Sequence, residues 1–196
     1  MGIERSNQRY GRVRLTRIAR DLLDASRLCA ISTVSRSGRP HVNTVYFAWE
    51  ADLRLVWLSD PRARHSRNIG AVGAAAVAVY NSGQSWGGPD RGIQLFGSAA
   101  MAAGATARDA ERIYGGRFAG FTPEKFADYR LYVFRPRRIK LFDEPSLGAG
   151  VFVTAKVEAD RKLAVGADGD LPRGLTTGTK SGSGLRPSVD AWAQWS

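Results

Sequence analysis

The sequence predicts a mainly β protein with a few helices (α+β), its strands curling into a closed or half-open antiparallel barrel. Three observations carry that expectation. Short runs rich in β-branched and aromatic residues recur along most of the chain. Gly-, Pro- and Asp-containing turns separate them at close intervals. Helical periodicity appears in only a few stretches, too few to cover both faces of an open parallel sheet.

Taken in order, residues 14–26 read as a helix, because Leu15, Ile18, Ala19, Leu22 and Leu23 recur three and four apart, with Thr16 or a neighbour opening it. Residues 28–34 are an apolar run suited to a buried strand, and Ser37, Gly38 and Pro40 supply a reversal. Residues 42–49 alternate as a strand should, and a hairpin at Glu50, Ala51 and Asp52 leads into a strand over 53–58. A short basic helix is expected over 62–71. Residues 74–80 are strand despite their alanines, since the runs on either side need a pairing partner. A Gly-rich loop over 82–88 holds Trp86, and residues 91–99 form the next strand, its glycines marking bends or close backbone approach. Residues 106–114 read as a helix with Thr106 as candidate N-cap. Phe118, Phe121 and Phe126 fall in a linker with one helical turn after Thr122 and Pro123. Residues 128–142 make a final strand pair or one bent strand, with Pro136 at a bend or an edge.

At 196 residues and 43% apolar composition, one domain with a real core is expected. The division is a basic N-terminal arm over 1–13, a barrel domain over 14–157 and a Gly/Ser-rich flexible tail over 158–196 that ends in a segment holding Trp192 and Trp195. Net charge is +11. Residues 1–20 hold six arginines against Glu4, whereas the tail is balanced. No aromatic platform accompanies those arginines, so a solvated leader is favoured over a nucleic-acid contact. The single Cys29 excludes an intrachain disulfide and a cysteine-based zinc cluster, and its apolar strand suits an inert thiol. Two histidines without a nearby carboxylate cluster speak against a metal site. No apolar run approaches the roughly 20 residues that cross a bilayer, and no apolar signal core opens the chain; a cytoplasmic protein without membrane contact is the expectation.

The most informative stretch lies where the strand ending at Leu58 and Ser59 gives way to the basic helix. Arg64, His65 and Arg67 crowd its first turns. Cations there oppose the helix dipole, so local structure gives no reason for them. Free N–H groups at a helix start attract anions, and guanidinium and hydroxyl donors add to the pull. A phosphate-bearing ligand is the natural guest. Asn43 and Gln94 are amides in otherwise apolar strands and need partners. His41 either faces the ligand or is a satisfied polar strand end. Trp49 and Trp57 read as core or interface.

The ordered set formed by residues 30–34, 38–47, 58–60 with 64–69, 76–79 and 92–99 resembles the FMN-binding split-barrel family related to pyridoxamine 5′-phosphate oxidase. Ile113, Tyr114, Arg117 and Phe118, with residues 132–142, are similar to a bacterial branch of that family. The resemblance implies an antiparallel FMN-binding split β-barrel that forms a homodimer, with two flavin sites at the subunit interface. It implies that Arg64 and His65 stand where the family places a phosphate-binding Arg-Lys pair, His65 replacing Lys, with Arg67 or Ser59 able to compensate. Asn43, Thr44 and Val45 would lie along the ring, Leu58 and Ser59 near the ribityl chain, and Gln94 toward ring or phosphate. His41, Tyr80, Asn81, Trp86, Trp192 and Trp195 are candidates for the second-subunit or substrate side.

The function expected is that of an FMN-dependent oxidoreductase moving hydride to or from a small molecule, with no catalytic side chain identified. The arginine-histidine motif with which pyridoxamine phosphate oxidase holds its substrate is not visible, and Gly184 to Pro187 are a poor stand-in. The same fold serves deazaflavin-dependent reductases and non-catalytic flavin- or haem-binding proteins; a deazaflavin coenzyme is the alternative cofactor, haem the less favoured one.

Overall fold

A computed structural model describes residues 10–157 and 163–164. Its elements run α1 (Arg12–Asp24), β1 (Leu28–Val34), β2 (Pro40–Trp49), β3 (Leu55–Ser59), α2 (Arg64–Ala71), β4 (Ala74–Tyr80), β5 (Arg91–Met101), α3 (Ala105–Arg117), β6 (Arg130–Asp143), α4 (Glu144–Leu147), β7 (Phe152–Val157) and β8 (Leu163–Ala164). The strands pair in the order β3-β2-β1-β4-β5-β6, all antiparallel, and β6 returns to β3, so six strands close a barrel. The fold is the mainly β, antiparallel split barrel expected.

The split comes from β6. Its first residues pair with β3, from Phe134 opposite Leu55 to Arg130 opposite Ser59. Its later residues leave the barrel and pair with β7, from Arg138 opposite Lys156 to Phe142 opposite Phe152. β5 follows β6 along both halves, with a register shift between Phe96 and Gly97. Pro136 sits at that shift, opposite Gly97, inside one continuous bent strand. A Cβ on Gly97 would lie 2.1 Å from the Arg135 carbonyl oxygen, so only glycine lets the strands meet there.

One core of large residues runs through the barrel and on into its β5–β6–β7 extension: Phe47, Leu55, Trp57, Ile31, Ile93, Leu95, Phe134, Ile139 and Leu141 are fully buried. Trp57 stacks on Tyr132 with ring centroids 5.8 Å apart. α1 plugs this core with Leu15, Ile18, Ala19, Leu22 and Leu23, the five periodic residues of the sequence. It begins at Arg12 after Gly11; Thr16 opens nothing and instead donates to the Arg12 carbonyl one turn back. Tyr10 already packs in the core and donates from its hydroxyl to the Leu147 carbonyl at 2.9 Å. Trp57 and Trp49 are core and core edge as expected; Trp49 Nε1 donates to Asp24 at 3.0 Å.

A second, smaller core lies outside the barrel wall. Ala48 of β2, Val56 of β3, and Leu131 and Val133 of β6 receive Ala110, Ile113 and Tyr114 of α3. That helix is capped by the backbone of Gly104 at φ 54°, not by Thr106, and runs three residues further than expected. Arg117 closes it, donating to the Leu23 and Ser26 carbonyls at the end of α1 and lying over the Phe47 ring. β3 starts at Leu55 because Leu53, at φ 63°, belongs to the hairpin turn. Burial pushes the Cys29 thiol up to about 12 against a lesser pull from Arg117, so it is an inert core group at neutral pH.

The outer face of β1, β4 and β5, with the Val42 and Thr44 end of β2, has no helix packed on it, whereas α3 covers β2 further on at Ala48. Ala30 pairs with both Thr44 and Ala78, and Ala78 with Gln94, so these four residues form one row across it. Val42, Tyr46 and Tyr80 of the same face are 63%, 59% and 52% exposed. This is a broad, small-residue apolar surface with aromatic corners.

Candidate functional site

The site gathers at the mouth between β2, β3, α2 and the chain that follows α3. β3 ends at Ser59, and Asp60 then turns the chain by accepting from the main-chain N–H of Arg62 at 2.8 Å and from its guanidinium at 3.1 and 3.2 Å. Those same bonds hold the Asp60 carboxyl below its ordinary range. α2 starts four residues later at Arg64, after Ala63, which offers no capping side chain. The main-chain N–H groups of Arg64, His65 and Ser66 meet no acceptor among the described residues; the first helical bond runs from Arg67 to the Ala63 carbonyl. No acidic residue lies in this first turn. Three orphan donors and the positive end of a helix therefore point into one place, with the exposed Arg64 and Arg67 beside them.

His65 is turned inward. Its ring is 5% exposed and shares a 2.6 Å hydrogen bond with Ser59 Oγ through Nε2. Ser66 Oγ donates to Ser59 Oγ at 3.4 Å, so Ser59 ties the imidazole to the next residue of α2. The His41 ring lies nearly parallel, with centroids 6.3 Å apart. Burial first, and the facing His41 second, hold the His65 imidazole below its ordinary pKa. His65 is thus neutral at pH 7, its ring engaged by Ser59, and what it offers an anion is its main-chain N–H. One turn on, Asn68 fastens α2 to β1 by donating to Thr33 Oγ1 at 3.1 Å.

Next to this mouth lies a cavity of about 820 Å³, within the ordinary range for small-molecule sites. Asn43, Thr44, Val45 and Tyr46 of β2 and Leu58, Ser59 and Asp60 form one side. Tyr114 of α3, then Phe118, Ala119, Gly120, Phe121, Phe126 and Tyr129 after it, form the other. The structure therefore brings Asn43, Thr44, Val45, Leu58 and Ser59 into one cavity with α2 beside it. It does not bring Gln94 there. That residue lies on the same outer sheet face as Thr44 but three strands away, on the order of 14 Å at about 4.8 Å per strand. Tyr80, Asn81 and Trp86 are exposed beyond the end of β4, away from the cavity. His41 adjoins His65 rather than the cavity wall. Trp192 and Trp195 lie outside the described residues.

The aromatic side was the part sequence reasoning missed. Phe118, Phe121 and Phe126 read as linker residues, although three large apolar rings in ten residues of loop are themselves a signal that the loop lines something. Among the described residues no group of His, Cys, Asp and Glu is arranged to hold a metal, and no helix is long and apolar enough to cross a membrane.

The family model described as pyridoxamine 5′-phosphate oxidase matches residues 15–143. No curated protein matches the sequence. Among solved structures, a haem-binding protein from Mycobacterium smegmatis superposes with TM-score 0.59 at 18% identity, covering 79% of this chain and 61% of that one. The chain thus spans under two thirds of that neighbour's length. A pyridoxamine 5′-phosphate oxidase-related, FMN-binding protein from Nostoc punctiforme gives TM-score 0.55 at 13% identity, covering 81% of this chain and 96% of that one. HutZ, the haem storage protein from Vibrio cholerae, gives 0.52 at 18%, with 60% and 87% covered. At such identities the likeness is one of fold. With the family model spanning the barrel from α1 to the end of β6, the chain belongs to the pyridoxamine 5′-phosphate oxidase family.

Proposed function

We propose that the protein is an FMN-dependent oxidoreductase, working as a homodimer on a small molecule by hydride transfer. The observation that carries this reading is the meeting of an apolar cavity with three orphan N–H groups and two exposed arginines at the start of α2. A flavin mononucleotide has a planar ring, a hydroxylated chain and a terminal dianion, and the residues present fit all three. The amides of Arg64, His65 and Ser66 with the guanidiniums of Arg64 and Arg67 suit the phosphate. Ser59 and Thr44 offer hydroxyls to the ribityl chain. Asn43 offers an amide to the ring edge, and Val45 and Leu58 an apolar bed. When bound, the flavin supplies the hydride chemistry. The chain's part is to anchor the phosphate, orient the ring and shape the space over it; Ser59, held by His65 and Ser66, keeps one geometry for that task.

The uncovered outer sheet face supports the homodimer. Val42, Tyr46 and Tyr80 around a bed of alanines are the chemistry of a self-complementary interface. A second copy on this face would enclose the open side of the mouth, where Gln94, Tyr80, Asn81 and Trp86 stand ready as partner-side residues. A haem reading draws its support from the fold neighbours, but neither histidine lines the cavity and His65 Nε2 is occupied by Ser59. A deazaflavin coenzyme, also a phosphate-bearing ligand, suits the same donors.

A visible spectrum and an FMN titration test the reading. Expected are flavin absorbance in the blue, saturable uptake, bleaching by a nicotinamide donor and recovery in air. Absence of FMN uptake, a Soret band, or the violet-shifted absorbance of a deazaflavin overturns it.

A further inference from the structure

The cavity's second wall asks for a ligand of its own. Tyr46, Phe118, Tyr114, Phe121, Phe126 and Tyr129 make an unbroken chain of ring contacts, with successive centroids 6.0, 4.7, 5.2, 5.9 and 6.1 Å apart. Interplanar angles of 79°, 42°, 82°, 18° and 88° show that successive rings of this wall meet both face to face and edge to face. Ring faces are electron-rich and ring edges electron-poor, so such a wall receives another ring either stacked or edge-on. Ala119 and Gly120 leave room at the bend of this wall. No Lys, Arg or His lines the cavity, and its one charged residue, Asp60, already faces Arg62 at 3.1 Å. The site's remaining cations, Arg64 and Arg67, are at the α2 start, where the flavin reading assigns them to the cofactor's phosphate.

We infer that the aromatic wall is the substrate side of this site and takes a planar aromatic molecule that carries no anionic group. The inference rests on the flavin reading, which leaves this wall facing the space over the ring. An anionic substrate, the family's phosphorylated pyridine ring included, would desolvate its charge here against rings and a carboxylate, and Arg62 beside that carboxylate is already paired with it. Tyr114 adds no charge of its own, because burial and the neighbouring Tyr46 hold its phenol protonated at neutral pH.

The test is a calorimetric titration of the full chain, saturated with FMN, by two probes of matched ring size: 2-naphthol, neutral at pH 7, and naphthalene-2-sulfonate. The naphthol is expected to bind at least about tenfold more tightly than the sulfonate. Phe126→Leu, which keeps apolar volume and removes the ring, is expected to lower naphthol affinity about fivefold relative to FMN affinity. If FMN is taken up and the sulfonate binds as well as the naphthol, or the naphthol displaces FMN, or Phe126→Leu leaves the naphthol-to-FMN affinity ratio unchanged, the inference alone is overturned. If FMN is not taken up at all, the flavin reading falls and this inference with it.

Discussion

Arg54 and Arg64 are ten residues apart and are used in opposite ways. Arg54 lies between Asp52 at 2.7 Å, Asp109 at 2.8 Å and Glu50 at 3.5 Å, and Arg112 adds contacts of 2.6 and 2.8 Å to Glu50 and Asp109. Every charge in that cluster is answered, and the cluster ties the β2–β3 hairpin to α3. Arg64 and Arg67 face no carboxylate among the described residues and sit at the helix end whose dipole disfavours them, at a cost of several tenths of a kcal/mol each. The contrast separates cations that build the fold from cations held for a ligand. Composition alone, with its +11 net charge, does not tell them apart.

The largest effect expected on that contrast is from Arg64→Ala. Losing a charge-assisted bond to phosphate should weaken FMN binding about 100-fold, with little change in Tm. The reverse pattern is expected for Arg54→Ala. Three neighbouring carboxylates would lose their shared cation, lowering stability by about 2 kcal/mol and Tm by roughly 4–8 °C, while FMN affinity holds. Thermal melts and FMN titrations of the two variants, run side by side, check both.

His65 sharpens the comparison, since it belongs to the ligand mouth yet is spent on the fold. Its folded pKa is depressed by burial and His41, so the unfolded chain binds the proton at higher pH than the folded one. The stability it contributes is complete above its ordinary value of 6.5 and is lost as pH falls through that value toward the folded one. Tm should therefore drop between about pH 7.5 and 5.5, by less than the Arg54→Ala shift, and the slope should flatten in His65→Asn. The smallest effect concerns the third arginine, Arg117, which pulls on a thiol too deep to respond. Cys29 should resist iodoacetamide in the native protein at pH 8 and react once the chain is unfolded.

Much of this was legible from residues because it is local. The five periodic residues of α1 and the alternation of β2 follow from side-chain pattern, and β4 from the need of its neighbours for a pairing partner. The donors at the start of α2 were visible too, since cations placed against a dipole stand out in any sequence. What was not legible depends on distant partners. Pro136 reads as a bend or an edge, and only Gly97 placed opposite it decides for the bend. Thr106 reads as a cap until the backbone at Gly104 takes that role. His65 reads as a ligand beside Arg64 until Ser59, at the end of β3, is found holding its ring. The aromatic wall exists only because α3 lays Tyr114 and Phe118 against β2, and no local pattern in 118–129 encodes that contact. α4 and β7 were not read at all, since β7 is a strand of six residues that is fixed by its pairing with β6.

The central claim is that the α2 start grips a terminal phosphate, and FMN compared with riboflavin tests it most directly, since the two differ by that group alone. The account predicts that the full-length protein binds FMN at least about 100-fold more tightly than riboflavin, and that Arg64→Ala removes most of this preference. Equal affinity for the two in the unaltered protein, or a preference that survives Arg64→Ala intact, would contradict it.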